Sequence, residues 1–507
     1  MTRLSQSRTA ETSATRLAAT GIDGLDNILG GGFPRNHLFL VQGAPGTGKT
    51  TLGLHFLMEG IKRGERGMYI TLSETAEELR IVAMSHGWSV DDIRLHELIS
   101  VTEGLRPETQ YTVFDSSEIE LGETIRAVIE EVEEFRPHRL VFDSLSELRL
   151  LAQNSLKYRR QILAIKQLLK DKSSTVLLLD RTGQGTDDHG ESIAHGVVTL
   201  EVLPVDYGAD RRRIRVAKLR GVNFRAGYHD YTIVTGGLKV FPRLVALEHQ
   251  QAYPPSLVTS GIPELDQLLG GGITRGTSSL ILGPAGTGKS TLVTQFAHAA
   301  AKRNEKVALY IFEESLETYK NRAKNLGIPI NGDEFKALID IKPIDPAELS
   351  PGEFVVRVTE AVRDHDVRLV IIDSLNGFLN AMAGEQQLVL QLHELLSYLR
   401  QKGVTTLLTE SQHGLMGADM GSPVDVSYLA DTVMLLRYFE AFGEVRQAIS
   451  VIKNRASIHE RTVREFRLGP GIRIGNPLKD FHGVLRGVPT YTGDEPRLLR
   501  QTDGLYK

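Results

Sequence analysis

The sequence predicts an α/β protein made of two tandem copies of one domain, each a mostly parallel sheet flanked by helices. Three observations predict it. The chain contains itself twice: GIDGLDNILGGGFPRNHLFLVQGAPGTGKTTL from Gly21 aligns without a gap to GIPELDQLLGGGITRGTSSLILGPAGTGKSTL from Gly261. Within each copy, short apolar runs ending at glycine alternate with stretches of helical spacing. That alternation builds parallel strands whose crossover helices cover both faces. With 507 residues, the chain gives each copy enough length to bury its own core.

Taken in order, residues 1–18 are a polar lead-in expected to be disordered, without the apolar core of a signal peptide. The first domain is expected over 19–249. HLFLVQ is its first strand, a Gly-rich loop follows, and TTLGLHFLMEGIKRG is a helix whose basic end suits a helix C-terminus. GMYITLSE, RLVFDSLSEL and STVLLLDRTGQG continue the alternation. The seam QQAYPPSLVTS, with its prolines and serines, is the expected linker at 250–260. The second domain, 261–485, repeats the order with SLILG, STLVTQFAHAAAKRN, VALYIFEE, RLVIIDSLNGFL and TTLLTESQHG. Period-2 stretches late in each copy (RRRIRVAKLRG, QAISVIKNRA, HERTVREFRL) read as antiparallel hairpins that extend the sheet. Residues 486–507 form a C-terminal tail.

Composition narrows the function. There are no cysteines, which excludes disulfides, thiolate nucleophiles, iron–sulfur clusters and Cys-ligated zinc, and fits a reducing cytoplasm. No stretch approaches the ~18 apolar residues of a membrane helix. A net charge of −4 offers no bulk attraction for nucleic acid. The run Arg211-Arg212-Arg213, with Asp206 and Asp210 close by, reads as a solvated hairpin. The histidines show no metal-ligand spacing, and Trp88 reads as packing a helix end.

Two segments fit G-x-x-x-x-G-K-[ST]. In the first copy the pattern falls on Gly43, Gly46, Thr47, Gly48, Lys49 and Thr50, followed by Thr51. In the second it falls on Gly283, Gly286, Thr287, Gly288, Lys289 and Ser290, followed by Thr291. The glycines let the backbone wrap a phosphate and aim N–H groups at it, and the next helix adds the positive end of its dipole. Lys49 and Lys289 would reach the β- and γ-phosphates of ATP, and Thr50 and Ser290 would ligate Mg²⁺. Asp143 and Asp373 each end an apolar strand, where a carboxylate can hold the metal's water shell. Glu313-Glu314 follow the strand VALYIF, where a carboxylate can deprotonate an attacking hydroxyl. The same place in the first copy is Ser73-Glu74, and a serine is no base at neutral pH, so the first site either shifts the job to Glu74 or hydrolyses slowly.

The doubled phosphate loop, the GGG box ahead of it and the later K-x-R strand together resemble the KaiC-type circadian-clock ATPases, members of the RecA-like superfamily. The resemblance runs from about Thr20 to about Thr492. It implies two stacked rings in a homohexamer, with ATP held between neighbouring subunits, an ATPase in the first domain and a Ser/Thr autokinase in the second. It also implies that Glu313 is the catalytic base. Lys218 and Arg220 would be offered to a neighbour's first site, and Lys453 and Arg455 to its second. A cation supplied in trans can contribute ~10³–10⁵ in rate. Ser427 occupies the serine place of the family's phosphoacceptor pair and is the expected acceptor; Tyr428 stands where the family has threonine, its hydroxyl further out on a rigid ring. The first copy has no acceptor in the corresponding place, near Glu191. The tail departs from the longer extension of members regulated by a KaiA-like activator, which puts such a partner in doubt. A KaiB-like partner on the first ring is left open.

Two other classes share this ATP core. A RecA-like DNA-dependent ATPase or recombinase would need a basic, aromatic-interleaved loop after Asp143 or Asp373, and the sequence has none. A nucleotide-gated scaffold with little catalysis would be indifferent to loss of Glu313.

Overall fold

The computed structural model describes residues 16–98, 116–152, 155–171, 173–182, 189–205, 207–330, 332–381, 388–412, 414, 427–486 and 489–493. Most of the expected lead-in and tail lie outside these residues. Leu17–Ala18, which the sequence reading put in the lead-in, pair antiparallel with Phe33–Pro34. The chain separates into two units, Met1–Arg243 and Leu244–Lys507.

In chain order, the first unit contains α1 (Asp23–Leu29), β1 (Leu38–Gly43), α2 (Lys49–Lys62), β2 (Gly67–Thr71), α3 (Ala76–Ser85), β3 (Ile93–Glu97), α4 (Ser116–Phe135), β4 (Arg139–Asp143), α5 (Leu145–Ala152), α6 (Ser155–Asp171), β5 (Thr175–Asp180), α7 (His189–Ile193), β6 (Gly196–Leu203), β7 (Arg211–Leu219), β8 (Tyr228–Val234) and β9 (Gly237–Phe241). Its nine strands run in the order β3-β2-β4-β5-β1-β6-β7-β8-β9. The pairs from β3 through β6 are parallel, and those from β6 through β9 are antiparallel. The late period-2 stretches therefore do extend a parallel sheet as hairpins.

The second unit contains α8 (Pro263–Leu268), β10 (Ser278–Gly283), α9 (Lys289–Lys302), β11 (Lys306–Ile311), α10 (Leu316–Asn325), β12 (Ile339–Pro343), α11 (Pro351–His365), β13 (Val367–Asp373), α12 (Leu375–Ala381), α13 (Leu388–Gln401), β14 (Thr405–Ser411), β15 (Thr432–Ala441), β16 (Glu444–Asn454), β17 (Val463–Gly469) and β18 (Gly471–Pro477). The order β12-β11-β13-β14-β10-β15-β16-β17-β18 repeats that of the first sheet position by position. Ala246 donates its N–H to Glu394 on α13 at 3.1 Å, so the segment ahead of the Pro-containing seam packs with the second unit.

Each parallel sheet is buried on both faces, because alternate side chains of one strand feed two separate cores. On β1, Phe39 and Val41 join Tyr69, Val141 and Leu177 on one face, whereas Leu38 and Leu40 join Ile70, Leu140 and Leu178 on the other. In the second unit Ile281, Leu309 and Ile371 face one core, and Leu280, Tyr310 and Ile372 the other. Local chemistry sets the helix starts. Thr75 and Glu78 form a reciprocal capping box at α3, and the Ser315 hydroxyl accepts from the Thr318 N–H at α10. This order puts the loop after β1, the ends of β4 and β2, and the start of α2 at one edge of the sheet, where the crevice of an open α/β fold lies.

Candidate functional site

In both units the motif loop joins a central strand to a helix. Gly48 caps α2 at φ 90° and Gly288 caps α9 at φ 97°, a left-handed turn that favours glycine. The first N–H groups of each helix have no intrahelical partner and face the loop's concavity. Lys49 Nζ donates to the carbonyls of Gly43 (2.8 Å) and Ala44 (3.0 Å); Lys289 Nζ donates to those of Gly283 and Pro284, both at 2.8 Å. Burial pulls Lys289 down to about 8 while the Asp373 and Glu313 charges oppose it. Lys49 is lowered too, by burial first, against the attraction of Asp143.

The sheet brings the aspartates to the loops. Thr50 Oγ1 donates to Asp143 at 3.3 Å, and Ser290 Oγ to Asp373 at 3.1 Å. Each hydroxyl and carboxylate that would share Mg²⁺ is thus already adjacent. Both carboxyls are buried, which pushes them above the usual carboxylate range, and hydrogen bonds pull the other way. The donors differ between units. Tyr69 on β2 donates to Asp143 at 2.6 Å, whereas Thr409 on β14 donates to Asp373 at 2.5 Å. Neither donor was foreseen from sequence, because each sits on a strand that becomes a neighbour only through the sheet order.

The glutamates separate as well. Glu313 accepts from Ser374 Oγ at 2.6 Å, directly after the strand-end aspartate. Glu314 instead pairs with Arg322, whose guanidinium lies 4.7 Å from the Tyr319 ring centroid. In the first unit Glu74 lies beside Asp143 and Lys49. Burial, then repulsion from Asp143 and Glu78, raises its carboxyl above the ordinary range, against the Lys49 charge. Its Oε2 is buried without a hydrogen-bond partner among the described residues. An orphaned acceptor, a ring of N–H donors and a lysine held on loop carbonyls fit a Mg²⁺–triphosphate.

The K-x-R lysines each donate to a backbone carbonyl outside the phosphate loop. Lys218 Nζ donates to the Glu191 carbonyl at 2.6 Å, and Lys453 Nζ to the Ser427 carbonyl at 2.9 Å. The two lysines hold equivalent backbone positions, so Glu191 and Ser427 correspond in space. Glu191 is fixed by Gln42 Nε2 at 2.7 Å. Arg220 and Arg455 close the same strands, with Arg455 3.5 Å from the Tyr428 carbonyl. Tyr428 is exposed.

The arginine run departs from the sequence reading of a solvated hairpin. Arg211 is buried. Arg213 pairs with Glu201 and lies over the Tyr228 ring. Arg212 Nη1 donates to the Gly46 carbonyl of the phosphate loop at 2.7 Å, and Tyr231 Oη donates to the Thr47 carbonyl at 2.6 Å. In the second unit Gln447 reaches Gly286 at 3.4 Å and Tyr438 reaches Ala285 at 3.3 Å. The hairpins therefore brace the loops, and only the alignment of the two copies, Arg against Gln, held a hint of it.

Trp88 packs against the end of α3, as expected. No helix among the described residues is long and apolar enough to cross a membrane.

The family model for the KaiC ATPase matches residues 18–245 and again 258–479. A circadian clock protein KaiC3 from Synechocystis sp. is 28% identical over 507 residues, covering 98% of either chain. The circadian clock oscillator proteins KaiC of Acaryochloris marina and Synechococcus elongatus are each 28% identical, covering 96% of this chain and 94% of theirs. With the duplicated sheet, the two phosphate loops and the match across both halves, the chain belongs to the KaiC ATPase family.

Proposed function

We propose that the chain is an ATP-hydrolysing, self-phosphorylating signalling protein that assembles as nucleotide-bridged hexameric rings. Its first unit, residues 19–249 on the sequence reading, is the ATPase; its second, 261–485, is a serine autokinase. The observation that carries this is the repeated convergence of a lysine, a hydroxyl, a strand-end aspartate and a glutamate on one glycine cradle.

Loop N–H groups with Lys49 or Lys289 bind the phosphates, and Thr50 with Asp143, or Ser290 with Asp373, would hold Mg²⁺, which when bound would supply charge neutralisation for the phosphates. In the first unit Glu74 accepts a proton from water, whose oxygen bonds to the γ-phosphorus as the β–γ bridge breaks, releasing ADP and inorganic phosphate. In the second, Glu313, oriented by Ser374, takes the proton of the Ser427 hydroxyl presented by an adjoining chain, the serine oxygen bonds to the γ-phosphorus, and ADP leaves. Lys218 and Arg220, or Lys453 and Arg455, reach the γ-phosphate of an adjoining chain. The position of Lys453 on the Ser427 backbone supports this, because the cation and acceptor then arrive together. The names of the relatives support a clock or related timing output.

The test is incubation with γ-labelled ATP and Mg²⁺, followed by phosphosite mapping. Ser427→Ala removes most incorporated phosphate, and Glu313→Gln lowers incorporation roughly 10²–10⁴-fold. Label mapped to Tyr428, or indifference to Glu313→Gln, overturns the autokinase reading.

A further inference from the structure

The two nucleotide sites differ behind the hydroxyl that follows the magnesium-binding residue. In the first unit His86, the C-cap of α3, places Nε2 3.4 Å from Thr51 Oγ1 on the first turn of α2. Its Nδ1 lies 3.0 Å from the Val234 carbonyl, and its own carbonyl accepts the Gly236 N–H at 3.1 Å. The second unit keeps this backbone clamp, with Gly471 N–H donating to the Leu326 carbonyl at the C-cap of α10. There the side chain is leucine. The first unit alone carries an imidazole at this place.

The geometry assigns the ring's protons. A carbonyl only accepts, so Nδ1 carries a hydrogen. On the neutral ring Nε2 is then a lone pair, and the Thr51 hydroxyl donates to it. On the charged ring Nε2 donates, and Thr51 is free to turn its proton toward the nucleotide. Protonation thus converts Thr51 from a donor committed to the protein into a donor for phosphate, and adds a positive charge behind it. Other groups face the same space. The His55 ring on α2 lies tilted 5.1 Å from the Trp88 ring, and burial pushes its imidazole below the usual range, with Lys62 and His86 adding to this and the Gly21 backbone and Glu59 opposing. The β8–β9 turn contributes the Val234 carbonyl and the backbone of Gly236 and Gly237, the latter close to His55 and Trp88.

We propose that His86 is a positioning residue of the first nucleotide site, so that triphosphate binding by the first unit, and not by the second, strengthens as the imidazole gains a proton. The inference rests on the nucleotide-binding reading above. By linkage, the bound triphosphate favours the protonated imidazole in return, so the advantage is present on the acid side and is lost as pH rises. It amounts to roughly a three- to tenfold change in affinity between pH 5.5 and 8.5, the scale of one partly solvated charge near a phosphate.

The chain supplies its own probe. Trp88 is its sole tryptophan and lies 5.0 Å from the His86 ring, centroid to centroid. A charged imidazole stacked on an indole quenches it. The full chain carrying His55→Gln, the residue of the second unit at that place, leaves one imidazole against the indole. Its Trp88 emission is titrated with pH, with and without Mg²⁺ and a non-hydrolysable ATP analogue. The expected result is one transition whose midpoint the nucleotide raises by about half to one pH unit. His86→Leu and His86→Gln both abolish that transition and flatten the first-unit affinity profile, apart from protonation of the nucleotide itself. A midpoint that ignores the nucleotide, or a pH profile that survives both variants, overturns the role of His86 while nucleotide binding stands. Failure of the analogue to bind at any pH overturns the nucleotide site and this inference together.

Discussion

Replacing Arg212 by glutamine, the residue the second unit carries at that place, tests whether the hairpin brace prepares the first cradle for ATP. Arg212 holds the Gly46 carbonyl at 2.7 Å, against 3.4 Å for Gln447 and Gly286. A hydrogen bond from a charged donor contributes about 1.5–3 kcal/mol when buried. Arg212 is half-buried, so solvent reduces this to about 1 kcal/mol. Spent on holding the loop's N–H groups inward, that is about a fivefold loss of first-unit ATP affinity. The maximal rate is expected to hold, since Lys49, Asp143 and Glu74 make no contact with the guanidinium. Affinity is read from Trp88 emission, which reports the first unit alone, and turnover from phosphate release. Arg212→Lys, which keeps the charge, restores part of the affinity, and Gln447→Arg tightens the second site. Unchanged affinity, or a fall in turnover at constant affinity, would refute the bracing argument.

Two further outcomes follow from the same geometry. Lys289→Ala is expected to remove ATP from the second unit and, on the proposed bridging of subunits by nucleotide, to weaken ring assembly; mass determination in saturating Mg-ATP checks it, and unchanged hexamers without second-site nucleotide contradict it. Glu74 must be ionised to act as a base, and burial beside Asp143 raises its pKa. First-unit hydrolysis therefore falls with acidification at a pH above the ordinary glutamate range, and Glu74→Gln lowers it by about 10²-fold or more at every pH. A pH–rate profile of phosphate release measures both.

Much of the fold was legible because its signals are local. An apolar run, a glycine loop and a helix face are written in adjacent residues, and the duplication supplied an internal check on the strands quoted from both copies. The same holds for Lys49, Thr50, Lys289 and Ser290, whose relation to the cradle is fixed by a few backbone dihedrals within one motif. Asp143 and Asp373 were legible as strand ends, because parallel strands flanking a phosphate loop finish at the same edge of the sheet.

What holds those groups was not legible. Tyr69 and Thr409 reach equivalent aspartates from different neighbouring strands, a choice made by which strand happens to carry a hydroxyl at the right register. Arg212 looked like a surface charge, and it became part of the phosphate loop only when a distant hairpin folded back beside β6. His86 was one of the histidines without metal-ligand spacing, and its contact with Thr51 required α3, α2 and the end of β8 to meet. The sequence by itself determined which residues form the two glycine cradles and where the backbone turns, since both are properties of contiguous chain. Tertiary structure alone decided how those groups are charged, braced and told apart in the two units, since burial and hydrogen-bond partners depend on residues far away along the chain.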